Sequence, residues 1–379
     1  MVRIFKTATL LACLTASLAV AQPTVKIVGL VELTGTGTTS GTNFDNGIKL
    51  AVKEINAAGG ILGRKIDYQA FDTQSNPGVS KGLAQKATDD GAYVVMGPVF
   101  SGSILVSMAE TRRAEIPNFT GGEAAAITQQ GNPYIFRTSF TQASAMPKIA
   151  NYIRDNVKAK SVDVIYTNND FGKGGRDLIM KALESRGIKV ASDISTEPGQ
   201  LDFSSPVLKA RQSSSDAVFV YTNEEEAARL LRELRKQGYN KPVIGETVLT
   251  SQKVIELAGD SANGAVAHVG LTADAPQATV RKFDEAYQRE FKSRTDHNGL
   301  KGYSGMYIVK AVTEKIGKFD PKAFAVAMRG ISLSAKDHPG ILLDVSFDAN
   351  GDLDRESYMT RVVGGKQVVS DILPPVNKK

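Results

Sequence analysis

From Thr24 onward the chain alternates short β-branched runs with amphipathic helical stretches, and it does so in two rounds. TVKIVGLVEL, KIDYQAFDT and AYVVMGPV gather β-branched residues between turn formers, as strands do. Between the first two, NFDNGIKLAVKEINAAGG puts Phe44, Ile48, Ala51, Val52 and Ile55 on one helical face, and Gly59 and Gly60 supply a left-handed stop. SGSILVSMAETRRAE follows the third strand as a helix. The rhythm restarts after about residue 142. KSVDVIYTNND, FGKGGRDLIMKALESRG and KVASDIS read as strand, helix and strand, and DAVFVYTN, EEEAARLLRELRKQG and KPVIGET continue the series. Alternation of this kind calls for α/β layers around parallel sheets, and two rounds of it call for two domains. PQATVRKFDEAYQREFKSR and GLKGYSGMYIVKAVTEKIG are helical without strands of their own, so they must pack on an earlier sheet. GILLDVSFDANGD and ESYMTRVVGGKQVVS read as late antiparallel strands.

Ahead of Thr24, MVRIFKTATLLACLTASLAVAQ has the form of a secretory signal. Arg3 and Lys6 precede an apolar stretch, and Ala19-Val20-Ala21 offers small residues for cleavage, so residues 1–21 are expected to be removed. A competing pattern, Leu10-Leu11-Ala12-Cys13, resembles a lipobox and would lipidate Cys13. Cys13 is the only cysteine of the 379 residues. Cleavage at Ala21 therefore leaves neither disulfides, nor thiolate metal ligands, nor a cysteine nucleophile. The formal charge of +6 includes Arg3 and Lys6. That small excess, with no basic run interleaved with aromatics, argues against a nucleic-acid partner.

Catalytic and cofactor motifs are missing. GTGTTSG (35–41) places its third glycine one residue late for a dinucleotide loop, FGKGG lacks the phosphate-loop spacing, and GYSG misses a nucleophile elbow. His268, His297 and His338 are scattered without ligand spacing, and Glu224-Glu225-Glu226 begins a helix where negative charge suits the dipole. Neither an enzyme, nor a cofactor, nor a metal site is expected.

What remains are the loops at the carboxyl ends of the strands, where open α/β sheets bind ligands. LTGTGTTSG, GPVFSGS, TNNDFG, VYTNEEE and GETVLTS provide hydroxyls, amides, free helix N-termini, an aromatic or two and Glu246. In GPVFSGS, Ser101 opens a helix whose first N–H groups have no internal acceptor, so this turn can cradle a small carboxylate without a fixed positive charge. Ser101 simply capping its own helix is the alternative.

VKIVGLVELTG, FDNGIKLAVKEINAAGGILGRKI, FDTQSNP, VVMGPVFSGS, GNPYIFRTSF, NNDFGKGG and VIGET lie in order along nearly the whole mature chain. In these segments the sequence resembles the type I periplasmic binding proteins of the Leu/Ile/Val-binding group, which deliver amino acids to ABC transporters. The resemblance implies two Rossmann-like lobes joined by three crossovers. The first holds residues 22–141 and 271–343, the second 142–270 and 344–379, and a ligand cleft lies between them. It further implies that Ser101 holds the ligand carboxylate beside Phe100, that Val99 offers its carbonyl, and that Gly121 or Gly122 presents a carbonyl to the ligand ammonium, which Glu246 neutralises. Phe171, Tyr221 and Tyr303 would form the cleft wall. Glu123 stands where the group has serine or threonine against the carboxylate, and Ser40 stands where it has an aromatic cap. These two departures loosen the expectation of a branched-chain ligand and leave open an aromatic or aliphatic organic acid, or an amide. The implied protein is a periplasmic monomer that passes its solute to a membrane permease, or a sensory relative that presents it to a receptor.

Overall fold

The computed structural model describes residues 23–375, so the expected signal segment and Cys13 lie outside the described residues. The first round of alternation runs β1 (Thr24–Val31), α1 (Thr38–Ala57), β2 (Lys65–Asp72), α2 (Pro77–Asp89), β3 (Val94–Met96), α3 (Ser101–Arg113), β4 (Asn118–Thr120) and β5 (Ile135–Arg137). Its five strands form one parallel sheet in the order β2-β1-β3-β4-β5. The second round runs α4 (Gln142–Tyr152), β6 (Ser161–Thr167), α5 (Asp170–Glu184), β7 (Lys189–Thr196), α6 (Ser204–Gln212), β8 (Ala217–Tyr221), α7 (Glu224–Lys236), β9 (Val243–Glu246), α8 (Gln252–Ala258) and β10 (Val266–Val269). It builds the parallel part of a second sheet. In both sheets β1 and β6 are flanked on either side by strands, so the chain order reverses there and the carboxyl ends open into a crevice.

The chain then returns to the first lobe with α9 (Ala278–Phe291), α10 (His297–Ile316) and α11 (Pro321–Met328). As their lack of strands requires, these helices cover the first sheet, with Ile308, Val309 and Val312 sharing a core with Ile27, Phe44 and Ile48. The α1–α10 approach is very close. A Cβ on Gly47 would sit 2.0 Å from the Gly299 carbonyl oxygen, and one on Gly302 would sit 2.1 Å from that of Phe44. This contact fixes α10 against α1 and thereby aims the first turns of α10 at the crevice.

A small sheet of β11 (Ser332–Leu333), β12 (Val345–Phe347) and β13 (Leu353–Asp354) follows. Residues 345–354, expected in the second lobe, pack with the first. Val345, Phe347 and Leu353 join the core that holds Phe119 and Phe136, and Arg137 donates to Asp352. Only β14 (Ser357–Val363) and β15 (Lys366–Leu373) complete the second sheet, both antiparallel, in the order β15-β14-β10-β9-β8-β6-β7. Among the described residues no helix is long and apolar enough to cross a membrane.

Candidate ligand cleft

Between the lobes lies a cavity of about 290 Å³ lined from both sides. Its first-lobe floor is built at the end of β3. The chain turns at Gly97, Phe100 takes the N-cap position of α3 with no capping side chain, and the first intrahelical bond runs from Ile104 N to Phe100 O at 3.0 Å. The N–H groups of Ser101, Gly102 and Ser103 therefore have no acceptor in their own helix. Ser101 does not cap the helix. Its Oγ accepts from Ala124 N at 3.3 Å, which ties α3 to the loop after β4. Ser103, two residues on, is buried in the cavity wall, and its Oγ has no protein partner among the described residues. The turn is held from below by Glu32 at the end of β1, whose carboxylate accepts from Phe100 N at 2.9 Å and Val99 N at 3.2 Å. Burial pushes the Glu32 carboxyl up to about 7, and those two N–H groups act against the rise.

The Gly121-Gly122-Glu123 loop departs from expectation. The Gly122 carbonyl accepts from Arg137 Nη1 at 2.8 Å and Ser139 Oγ at 2.7 Å, so the protein already occupies the acceptor assigned to a ligand ammonium. The Gly121 carbonyl faces Lys301 Nζ at 3.3 Å. Glu123 points inward and is engaged by the protein's own groups. One oxygen is 3.2 Å from Lys301 Nζ, and the other accepts from Tyr221 OH at 3.2 Å. Burial and the neighbouring Glu246 push the Glu123 carboxyl up to about 7, while Lys301 holds it down.

Glu246 is displaced from the expected role too. It does not line the cavity but lies beneath it, taking a hydrogen bond from Thr247 Oγ1 at 2.6 Å and lying 3.4 Å from His268 Nδ1. Burial raises its carboxyl as well, and the charge of Glu246 adds to the rise at Glu123. Tyr221 stacks under Phe171 with ring centroids 4.2 Å apart, which leaves Phe171 as the surface residue. Tyr303 is turned away from the cleft. Its hydroxyl donates to Glu54 at 2.6 Å and its ring packs on Phe283, because two residues along α10 from Lys301 is more than half a helical turn. Val99, Phe100, Ser101, Gly121, Gly122, Glu123, Ser40 and Phe171 do line the cavity.

Residues 24–367 match the family model described as "Periplasmic binding protein". The chain belongs to that family. It is 28% identical to the Leu/Ile/Val-binding protein BraC3 of Rhizobium johnstonii over 358 residues, 92% of this chain and 95% of the relative. It is 26% identical to the leucine-, isoleucine-, valine-, threonine- and alanine-binding protein of Pseudomonas aeruginosa, with 89% of each chain covered. Its fold is shared with the leucine-binding protein LivK of Thermotoga maritima (TM-score 0.83, 21% identity, 93% of this chain and all of that one). It is shared equally with a solute-binding protein of an ABC transporter from Rhodopseudomonas palustris, solved with 3,4-dihydroxybenzoic acid (TM-score 0.85, 24% identity, 93% and 98%). The family is one of periplasmic binding proteins, and the relatives' names are those of solute-binding proteins.

This binding protein is closed. Ser40 Oγ donates across the cleft to Glu224 at 2.8 Å, Thr39 Oγ1 donates to Glu225 at 2.9 Å, and a Cβ on Gly102 would lie 2.9 Å from an Asp170 oxygen of the facing lobe. Ser103, Glu224, Asn298 and Lys301 are among the cleft residues to which the sequence reading gave no ligand role. Glu224 was explained by the α7 dipole.

Proposed function

We propose that this chain is the periplasmic solute-capturing component of an ABC importer, and that its solute is a small carboxylic acid without an α-ammonium. The family and its ABC-transporter neighbours support the first part. The ligand carboxylate would rest on the free N–H groups of α3 with the hydroxyls of Ser101 and Ser103, and the body between Phe100 and Phe171. Closure follows because such a ligand touches both lobes at once and so favours the closed state by its differential contacts.

The observation that carries the choice of solute is Lys301. Its ammonium sits between the Gly121 carbonyl and the Glu123 carboxyl, at 3.3 and 3.2 Å, inside the cleft. Burial pushes the Glu123 and Glu246 carboxyls toward their neutral forms, so beside Lys301 this group offers little net negative charge to an incoming ammonium. An ammonium brought there would lose its hydration, a cost of several kcal/mol, without gaining a counter-charge.

Calorimetric titration of the refolded protein with matched pairs tests this: 4-methylpentanoate against leucine, and phenylacetate against phenylalanine. The acids are expected to bind and their amino counterparts to bind at least a hundredfold more weakly. The reverse order would overturn the proposal in favour of amino-acid capture. That second reading is supported by the names of the curated relatives and by Glu224, a buried carboxyl on the cavity wall with Ser40 as its hydrogen-bond donor.

A further inference from the structure

The cavity wall holds two buried polar atoms that no protein group satisfies among the described residues: Ser103 Oγ and Asn298 Oδ1. They ask for different chemistry. Ser103 is a hydroxyl at the third position of α3, beside free N–H groups, and suits an anion. Asn298 is held in one orientation. Its backbone N–H donates to Asp296 Oδ1 at 2.8 Å and its side-chain Nδ2 to Asp296 Oδ2 at 3.3 Å, which leaves Oδ1 as a bare acceptor. Both residues are 1% exposed, so bulk water does not replace the missing partner. A buried acceptor left without a donor is costly, and a ligand donor that reaches it is selected strongly over an analogue that lacks one.

The charged groups around Asn298 narrow the donor further. Asp296 is engaged by the N-terminus of α10, Glu224 takes the Ser40 hydroxyl, and Lys301 lies one turn along the same helix face. Lys301 is paired with Glu123, and the Asp296 and Glu224 carboxyls are engaged by the protein's own donors, so a neutral donor fits this position.

We infer that Asn298 is the specificity-determining residue of the cleft, its Oδ1 accepting a hydrogen bond from a ligand hydroxyl, so that the solute is a hydroxy acid. The inference rests on the carboxylic-acid reading of the same cleft and adds the second polar group.

The test is calorimetric titration of the wild type and Asn298→Leu with pairs that differ by one hydroxyl: benzoate with 3- and 4-hydroxybenzoate, phenylacetate with 4-hydroxyphenylacetate, and hexanoate with its hydroxylated forms. In the wild type at least one hydroxy acid is expected to bind tenfold or more tightly than its parent acid. Asn298→Leu is expected to erase that preference while retaining binding of the parent acid, which also reports that the variant is folded. Equal affinities within every wild-type pair would overturn the inference and leave the carboxylic-acid reading standing, as would a preference that survives in Asn298→Leu. Binding of amino acids with no binding of either acid would overturn both. The wild-type comparison decides the matter even where the variant does not fold.

Discussion

Replacing Lys301 with methionine removes one half of a buried ion pair while keeping most of the packing volume of its stem. Stranding a buried charge ordinarily costs 3–5 kcal/mol. Here the expected cost at pH 7 is well under ~1 kcal/mol, because Glu123 has an escape. Burial and Glu246 push its carboxyl up to about 7 in the folded protein against an ordinary 4.5, a rise that costs roughly 3 kcal/mol at neutral pH. Loss of Lys301 raises it further, and full protonation adds little to a penalty already present. The sign then sets the pH dependence. A carboxyl raised on folding contributes most below its unfolded value, and that contribution is lost as pH rises through the folded one. In the wild type the loss ends just above 7, whereas in Lys301→Met it continues upward, so the two proteins diverge by about 1.4 kcal/mol for each pH unit above 7.

Thermal unfolding followed by circular dichroism at pH 5, 7 and 9 reads this directly. The midpoints are expected to agree within about 2 °C at pH 7 and to separate by several degrees at pH 9. A large drop at pH 7 that is the same at pH 5 and pH 9 would mean that Glu123 stays ionised without its lysine. The raised Glu123 carboxyl would then not be what absorbs the loss of the lysine.

Three other outcomes follow from the same geometry. Ser103→Ala is expected to weaken acid binding about tenfold by calorimetry yet leave the ligand-free melting midpoint unchanged, since its Oγ has no protein partner to lose. The ligand-free wild type is expected to melt several degrees higher at pH 5 than at pH 8: Glu32, Glu123 and Glu224 are raised to about 7 and Asp296 to about 6, so their stabilising protons are lost across that window, and these four carboxyls outweigh buried His268 and His297, which are held below their ordinary value and act the other way. A flat or rising profile would contradict it. Ser40→Ala removes the cross-cleft bond to Glu224 and is expected to enlarge the radius of gyration of the ligand-free protein in small-angle scattering, with ligand affinity lowered severalfold.

The two-lobed fold was legible because it depends on period and order, which a chain displays locally. The face of Phe44, Ile48 and Ala51 and the strand VKIVGLV could each be read within one window, and the strandless α9 and α10 had to return to an existing sheet. The Ser101 turn was legible for the same reason, since a strand end and a helix start are neighbours in sequence. What stayed hidden depends on partners far along the chain. That the Gly122 carbonyl is already taken follows from Arg137 and Ser139, fifteen and seventeen residues on, and that Gly121 faces a cation follows from Lys301, 180 residues away. Tyr303 and Lys301 were separable only by helical phase, and the phase of α10 is set by the glycine contacts with α1. The assignment of 345–354 failed because β-branched runs announce strands but not which sheet receives them.

These hidden contacts share one logic. A cleft for amino acids must leave an acceptor group open for an ammonium. Here the same group is present, with carbonyls at Gly121 and Gly122 and carboxyls at Glu123 and Glu246, and the protein fills it with its own cations, Lys301 and Arg137. A residue on a helix of the first lobe thus stands in for part of the ligand, while the anion cradle at α3 remains open. Glu123 is then no intruder against the ligand carboxylate. It is the counter-charge that lets a buried lysine sit at the cleft, and Tyr221 and Glu246 complete its hydrogen bonding from the other lobe. Tyr221, from the second lobe, donates to Glu123 of the first at 3.2 Å, so this polar group also joins the two lobes, and on the proposed reading a solute that lacks an ammonium is clasped from both sides.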